Sequence, residues 1–391
     1  MPTIVLFANF QLPEGSANAT RVVSLAKLIK TCGYDVLMCG VNDDNCQQLS
    51  GSYEGIPYEL ITFGAKKLNA HKRRDYSKLL KEKIVAWFDD CARTRDIYAV
   101  LYSGSRLGLV SFFTDFCSSR GYKMIYNHVE WYDLGCYGGL LAPIKYIRYL
   151  YEFHFVYPRF KNIIAISHLI SDYCKKRGCH VITIPIIIDT KRYAYSCCSN
   201  HNVTVLAYAG TMGRKDDLAN VIKAIGLLEE DMRKKLRFVI FGVTQKKLLK
   251  RCGWHSWARK LIGREVVCKG VIPHQAVRNE LLAADFTILL RKNTKRMNAG
   301  FPTKLGESMA AGVPVIANVT SDIGLYLHDG KEGFVCLDNT PEACKRVLLD
   351  VLNTSFTKKN EMRINARKRA EQSFDCFSYS KEMMSFLNDI I

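Results

Sequence analysis

From end to end the chain alternates short β-branched and aromatic runs with amphipathic stretches of helical period, in two series separated by a polar break. The first series reads TIVLFA, YDVLMCG, YELITF, IYAVLYSG, KMIYNHVE, NIIAIS and VITIPI. The second begins at VTVLAYAG (203–210) and continues with LRFVIFGV, VVCKG, DFTILLR, VPVIAN and GFVC. Strands spaced this way by helical segments predict an α/β architecture of parallel sheets covered by helices. The polar stretch DTKRYAYSCCSNHN (189–202) reads as a linker, giving an N-terminal domain over 1–195 and a C-terminal domain over 196–373, with a terminal helix over 374–391. A length of 391 residues suits two such cores. Two doubly wound domains are expected to meet across a cleft, with ligands outside the carboxyl ends of the strands. The loops that follow strands therefore carry the functional reading.

Charge narrows the partners without choosing one. The formal net charge is +19, from 56 Lys and Arg against 37 Asp and Glu. It is shared by both halves, +8 over 1–195 and +11 over 196–391. Such a field attracts phosphates, anionic lipid headgroups or nucleic acid. The chain has no recognition helix, RNP-type aromatic motif or zinc finger, so nucleic acid is not an expected partner. Fifteen Cys, an odd number without a C-x-x-C pair or a Cys/His cluster at zinc spacing, argue against a disulfide framework and a structural metal, and point to a reducing cytosol. The opening MPTIVLFANF lacks a basic leader and reads as a first strand, and no run reaches the roughly 18 apolar residues of a membrane span. The expected localisation is cytoplasmic.

One stretch of the second series concentrates the chemistry, GFPTKLGESMAAGVPVIAN, Gly300 to Asn318. Pro302 suits the first turn of a helix and Gly312 its end, which predicts a helix of about ten residues. Leu305 and Met309 can then face the sheet while Thr303 and Glu307 share another face with Lys304 nearby. The free N–H groups at the helix start, together with Lys304, could hold a diphosphate, and Glu307 could accept hydrogen bonds from ribose hydroxyls. A plain surface helix beside a strand accounts for these residues equally well. Upstream, AGTMGRKDDLANVIKAI (209–225) places Gly210 and Gly213 at a turn and Arg214 and Lys215 where a strand gives way to a helix, a position suited to anions. It is neither a dinucleotide fingerprint nor a Walker loop, and two solvated cations paired with Asp216 and Asp217 are the alternative. Arg291 closes the strand DFTILLR just before the KNTKRMNAG loop.

In the first series, YNHVEWYDLGCYGG (126–139) leaves a strand for a loop. His128 and Glu130, two apart and so expected on one face of that strand, are candidates to position an acceptor hydroxyl or take its proton. A core His and a locally paired Glu are the structural alternative. The first βα loop, NFQLPEGSANATR, offers Gly15, Ser16, Asn18 and Arg21, with Asn18 or Thr20 alternatively a helix cap. KYIRYLYEFHFVYPRFK (145–161) interleaves aromatic and basic residues, suited either to anionic lipid headgroups or to a helix with aromatics in the core.

Together AGTMGRKDDL, DFTILLRKNTKRMNAGFPTKLGESMAAGVPVIAN and YNHVEWYD resemble retaining GT-B glycosyltransferases of family-4 type, in particular bacterial enzymes of surface-polysaccharide assembly such as lipopolysaccharide or capsule. The resemblance extends over most of the chain and implies two Rossmann-like domains facing a cleft, the donor domain second, with the terminal helix packing back on the first. It implies that Arg214 and Lys215 bind the donor diphosphate and that Glu307 binds donor ribose as the second Glu of an E-x7-E motif. The first Glu of that motif falls at Ala299, a departure that bears on recognition of the transferred sugar. The implied reaction is transfer of a sugar from a nucleoside diphosphate to a polysaccharide or lipid-linked saccharide, with retention. With no D-x-D signature, no metal or other cofactor is expected, and Arg214, Lys215, Arg291, Thr303 and Lys304 would meet the diphosphate charge. Ala299 keeps a second reading open, an inactive sugar-nucleotide-binding homologue or partner subunit. A peripheral contact with anionic membrane, at the inner face of the plasma membrane, would bring a lipid-linked acceptor to hand.

Overall fold

The computed structural model describes residues 1–42, 48–62, 73–106, 108–195, 203–213 and 215–390. It divides into two compact units, one made of Met1–Ile188 with Cys376–Ile391 and the other of Asp189–Asp375. The chain therefore changes unit ahead of the expected 195/196 boundary. The reason is local. Thr190 donates through its hydroxyl to Asp375, and Arg367 Nη1 donates to the Tyr193 carbonyl at 3.0 Å, so the start of the polar stretch is tied to the second unit.

The first unit is built on an eight-stranded sheet of β1 (Thr3–Ala8), β2 (Asp35–Asn42), β3 (Ser50–Tyr53), β4 (Ile56–Thr62), β5 (Ile97–Ser103), β6 (Lys123–His128), β7 (Asn162–Ala165) and β8 (His180–Thr183). The order is β3-β4-β2-β1-β5-β6-β7-β8, parallel except for the β3–β4 hairpin. That hairpin turns on Glu54 (φ 53) and Gly55 (φ 78), the paired left-handed conformations of a tight two-residue loop. β3 reads SGSY, without a β-branched or apolar run, and so is invisible to periodicity. The last helix, Ser380–Asn388, inserts Met383, Phe386 and Leu387 into the same core as Val22, Leu25 and Ile29 of the helix Ala17–Thr31.

The second unit has six parallel strands, β9 (Thr204–Ala209), β10 (Leu236–Phe241), β11 (Val266–Gly270), β12 (Phe286–Leu289), β13 (Val315–Asn318) and β14 (Gly333–Cys336), ordered β11-β10-β9-β12-β13-β14. Apolar side chains alternate between its faces, as a sheet covered on both sides requires. Leu206, Tyr208, Phe238, Ile240, Phe286 and Ile288 join the larger core, whereas Ala207 and Phe241 belong to a smaller one with Val205, Ala209 and Val239 packed against it. The helix Thr303–Ala310 runs between β12 and β13. Its Leu305 and Met309 are fully buried. Pro302 is the residue before the helix, at φ −79 and ψ 114, rather than in its first turn. At the other end Gly312 (φ 67) donates its N–H to the Met309 carbonyl and Val313 donates to the Ser308 carbonyl, the paired bonds of a Schellman stop. A Cβ at Gly312 would lie 2.4 Å from the Tyr195 ring.

Candidate functional site

In the second unit β9 and β12 are neighbours at the point where strand order reverses, so the loops leaving their carboxyl ends flank the natural ligand position of a doubly wound sheet. Backbone pairing fixes those loops. Asp216 and Arg291 form an antiparallel bridge, and the Asp217 N–H donates to the Leu290 carbonyl at 2.8 Å. Asn318, at the end of β13, clamps Arg291 from the other side: its Oδ1 accepts from the Arg291 N–H and its Nδ2 donates to the Arg291 carbonyl, both at 2.8 Å.

The side chains held by this frame converge on Asp216. Lys304 Nζ lies 2.5 Å from Asp216 Oδ2, the Tyr208 hydroxyl donates to the same oxygen at 2.7 Å, and Arg291 Nε faces Oδ1 at 3.4 Å. Asp216 and Arg291 are buried, with side chains 5% and 8% exposed, while Lys304 remains 29% exposed. Burial by itself raises the Asp216 carboxyl, but Lys304 and Arg291 outweigh it and hold the group below the usual carboxylate range. Burial and the neighbouring Asp216 push the Tyr208 phenol up, so it stays a donor. Asp216 and Tyr208 engage two of the three N–H donors of the Lys304 ammonium. Gly210 makes the room: a Cβ there would lie 2.7 Å from Lys304 Cε and 2.9 Å from its Nζ.

One turn along the helix, Glu307 lines a small, partly open pocket of about 30 Å³ with Lys304 and Ser308. Its sheet side is formed by Ala207, Ala209 and Thr287, where two alanines leave space under the helix. Glu307 is half-buried. Burial and then the Glu307 charge push the Tyr193 phenol up. Thr287 Oγ1 is buried with no hydrogen-bond partner among the described residues. Thr287→Val removes that unsatisfied group at nearly constant volume and is expected to leave stability unchanged or raise it by about 1 kcal/mol, read from urea unfolding; a loss of that size would show that the hydroxyl is satisfied.

The structure thus brings together Arg291, Lys304 and Glu307, with Thr303 at the helix start and Lys215, half-buried, next to Asp216 in the chain. Arg214 lies outside the described residues. Asp216, Tyr208 and Asn318 were missed as site residues. Arg291 and Lys304, which bond Asp216, lie 75 and 88 positions away, whereas the one pairing the sequence offered for Asp216, as the alternative to an anion site, was with its neighbours Arg214 and Lys215; no local spacing encodes the long-range contacts. Ala299 is fully buried in the short helix Lys295–Ala299. The neighbouring Asn298 side chain accepts from the Ser321 N–H at 2.9 Å and donates to Asn293 Oδ1 at 2.7 Å.

Three expectations in the first unit are corrected. β6 ends at His128, so His128 and Glu130 do not share a strand face. His128 is 1% exposed, its ring set among Tyr126, Phe153 and Tyr157 with Cys174 Sγ 3.9 Å from Nδ1. Burial lowers its pKa to about 3, a backbone hydrogen bond with Glu130 opposing, so the imidazole is neutral. Glu130 is half-buried in the loop beyond. Arg21 is not a loop residue: it is 1% exposed within the helix Ala17–Thr31 and donates to Asn127 Oδ1 at 3.0 Å and to the carbonyls of Pro185 and Ile184 at 2.5 and 3.0 Å. The cap of that helix is Ser16, accepting from the Ala19 N–H at 3.1 Å, not Asn18 or Thr20. Gly15 (φ 103), Ser16 and Asn18 are exposed at its start.

Among the described residues no group of three His, Cys, Asp or Glu is placed to hold a metal ion, the twelve cysteines are free, and no helix is long and apolar enough to cross a membrane.

Residues 198–369 match the family model for glycosyl transferases group 1. No curated protein sequence matches the chain. Solved structures similar over the full length include a sucrose-phosphate synthase from Thermosynechococcus elongatus, with TM-score 0.74 and 14% identity over 99% of this chain and 98% of that one. Anabaena HepE in complex with UDP gives TM-score 0.69 and 14% identity over 99% and 100%. WaaG, a glycosyltransferase involved in lipopolysaccharide biosynthesis, gives TM-score 0.63 and 15% identity over 98% and 100%. The chain thus has the two-sheet α/β fold of GT-B glycosyltransferases and carries, over residues 198–369, a match to the glycosyl transferases group 1 family.

Proposed function

We propose that the protein transfers a glycosyl group from a nucleoside diphosphate sugar to a saccharide or lipid-linked saccharide, with retention and without a metal, as an enzyme of surface-polysaccharide assembly in the cytoplasm. The observation that carries this reading is the convergence of Lys304 and Arg291 on Asp216 at the exits of β9 and β12. As the bond to the leaving diphosphate breaks, negative charge grows on phosphate while the sugar becomes oxocarbenium-like. Cations already fixed in place stabilise that charge more than the ground state. Asp216 keeps Lys304 and Arg291 in position at low reorganisation cost, and Lys215 and the N–H groups opening the helix at Thr303 add to the same field. Glu307 takes the ribose hydroxyls from the pocket beside Lys304.

On the acceptor side the exposed loop Gly15, Ser16 and Asn18 and the carboxylate of Glu130 are the groups proposed to meet the incoming saccharide. His128, enclosed and neutral, closes the end of β6 beneath the loop, and Arg21 holds the strand exits through Asn127, Ile184 and Pro185. HepE, of the same fold, holds UDP, so uridine diphosphate is the first nucleotide to test. UDP is expected to raise the Tm of the parent protein, and Glu307→Ala to weaken its binding by roughly tenfold or more with the ligand-free Tm unchanged. Undiminished binding by Glu307→Ala would remove the ribose assignment. Hydrolysis or transfer of the UDP-sugar separates an enzyme from the binding homologue that Ala299 suggests, since the latter binds donor and turns over none.

A further inference from the structure

We propose that Lys247 is a positioning residue for the donor diphosphate, holding one peptide of the turn after β9 with its N–H end toward the cation cluster. The proposal rests on the donor-site reading given above. The turn, Gly210–Gly213, leaves β9 ahead of Lys215 and Asp216. Lys247 stands in the first turn of the helix Gln245–Arg251, which follows β10, where the capping Thr244 hydroxyl accepts from the Lys247 N–H at 3.3 Å. Its exposed ammonium donates to the Thr211 carbonyl at 2.6 Å.

That carbonyl and the Met212 N–H belong to one planar peptide group, so fixing one end orients the other. Burial and Asp216 raise the Tyr208 phenol, and the Met212 N–H opposes them. The peptide therefore presents its N–H to Tyr208 and its oxygen to Lys247. The Gly210 carbonyl turns the same way, since a Cβ at Gly242, in the exit of β10, would lie 2.7 Å from its oxygen. Lys304 and Arg291 stand on the other flank, after β12, the second neighbour of β9. An anion held by these cations meets the N–H end of the peptide and not the carbonyl oxygens.

The orientation is strained. It requires φ 51 at Met212, in the left-handed region that a long side chain adopts only where its surroundings hold it. Rotating the Thr211–Met212 peptide by half a turn would return Met212 to a negative φ. The same rotation would aim the Thr211 oxygen at Tyr208 and Lys304, so that a carbonyl would engage Lys304 in place of phosphate. The bond from Lys247 opposes that flip. It is made by an exposed side chain, so it can be removed without disturbing the core around Met212, Tyr208 and Leu218.

With the turn free to flip, only its competent fraction binds the nucleotide, and apparent affinity falls while the bound state is unchanged. Lys247→Met is expected to speed amide exchange over residues 209–213 of the nucleotide-free chain and to weaken UDP binding by roughly fivefold to tenfold. KM for the UDP-sugar is expected to rise by the same factor with kcat retained, and the ligand-free Tm to match the parent. Lys247→Arg, which keeps an N–H in reach of the carbonyl, is expected to behave as the parent. Weaker UDP binding without faster exchange, or a fall in kcat at constant KM, would make Lys247 a direct phosphate contact and overturn the positioning role. Equal UDP affinity in Lys247→Met and the parent overturns it as well and leaves the donor site standing, whereas a parent that binds no UDP removes the donor site and this role together.

Discussion

Lys304→Met is expected to lower kcat/KM for glycosyl transfer by a factor of about 10²–10³, the usual effect of removing one preorganised donor from a developing oxyanion. It is also expected to cost about 1–3 kcal/mol of stability. The second effect arises because Asp216, 5% exposed, would keep only the Tyr208 hydroxyl and a long 3.4 Å contact with Arg291. The two losses have different causes and can be separated. Adding Asp216→Asn to Lys304→Met takes the carboxylate from the buried Arg291 guanidinium, so stability is expected to fall further, while transfer stays lost because no cation has been restored. Urea unfolding and a transfer assay on parent, both single variants and the double variant check this. Recovery of transfer in the double variant, or no stability change in Lys304→Met, would contradict the assigned roles.

The second large effect is acid destabilisation centred on His128. Burial holds its pKa at about 3 in the folded chain, against about 6.5 in an unfolded one. Between those values the unfolded state binds the extra proton, so stability falls as pH falls through that window and is unaffected by this group above it. The cost is about 1.4 kcal/mol for each pH unit below about 6.5. His128→Gln, which cannot take up the proton, is expected to lose less stability over pH 6.5 to about 4, so that its curve and that of the parent converge or cross on acidification. Parallel curves would mean that the ring is accessible to protons in the native state, as a working general base requires.

Much of this architecture is legible in the sequence, and the reasons differ by element. Strands buried on both faces, such as TVLAYA and LRFVIF, announce themselves as apolar runs, and the Gly312 stop of the site helix follows from a left-handed position that glycine adopts without strain. β3 escaped because SGSY owes its strand to pairing with β4, not to its own composition. In the site, Lys304 and Glu307 were readable because they lie one turn apart on a helix between strands. Asp216 was not, since its place depends on the β9–β12 adjacency that aligns two loops distant in sequence. The pair His128 and Glu130 shows the opposite failure: period-2 reasoning was carried past the last residue of a strand. Arg21 read as a residue of the first βα loop, yet three buried acceptors surround its guanidinium.

The account rests on Lys304 and Arg291 receiving the donor diphosphate, and a crystal structure of the chain with UDP tests that most directly. A phosphate oxygen is expected within about 3 Å of Lys304 Nζ, with Glu307 against the ribose and Asp216 still holding Arg291. UDP bound elsewhere in the chain, with Lys304 still closed on Asp216 and no phosphate beside it, would contradict the account.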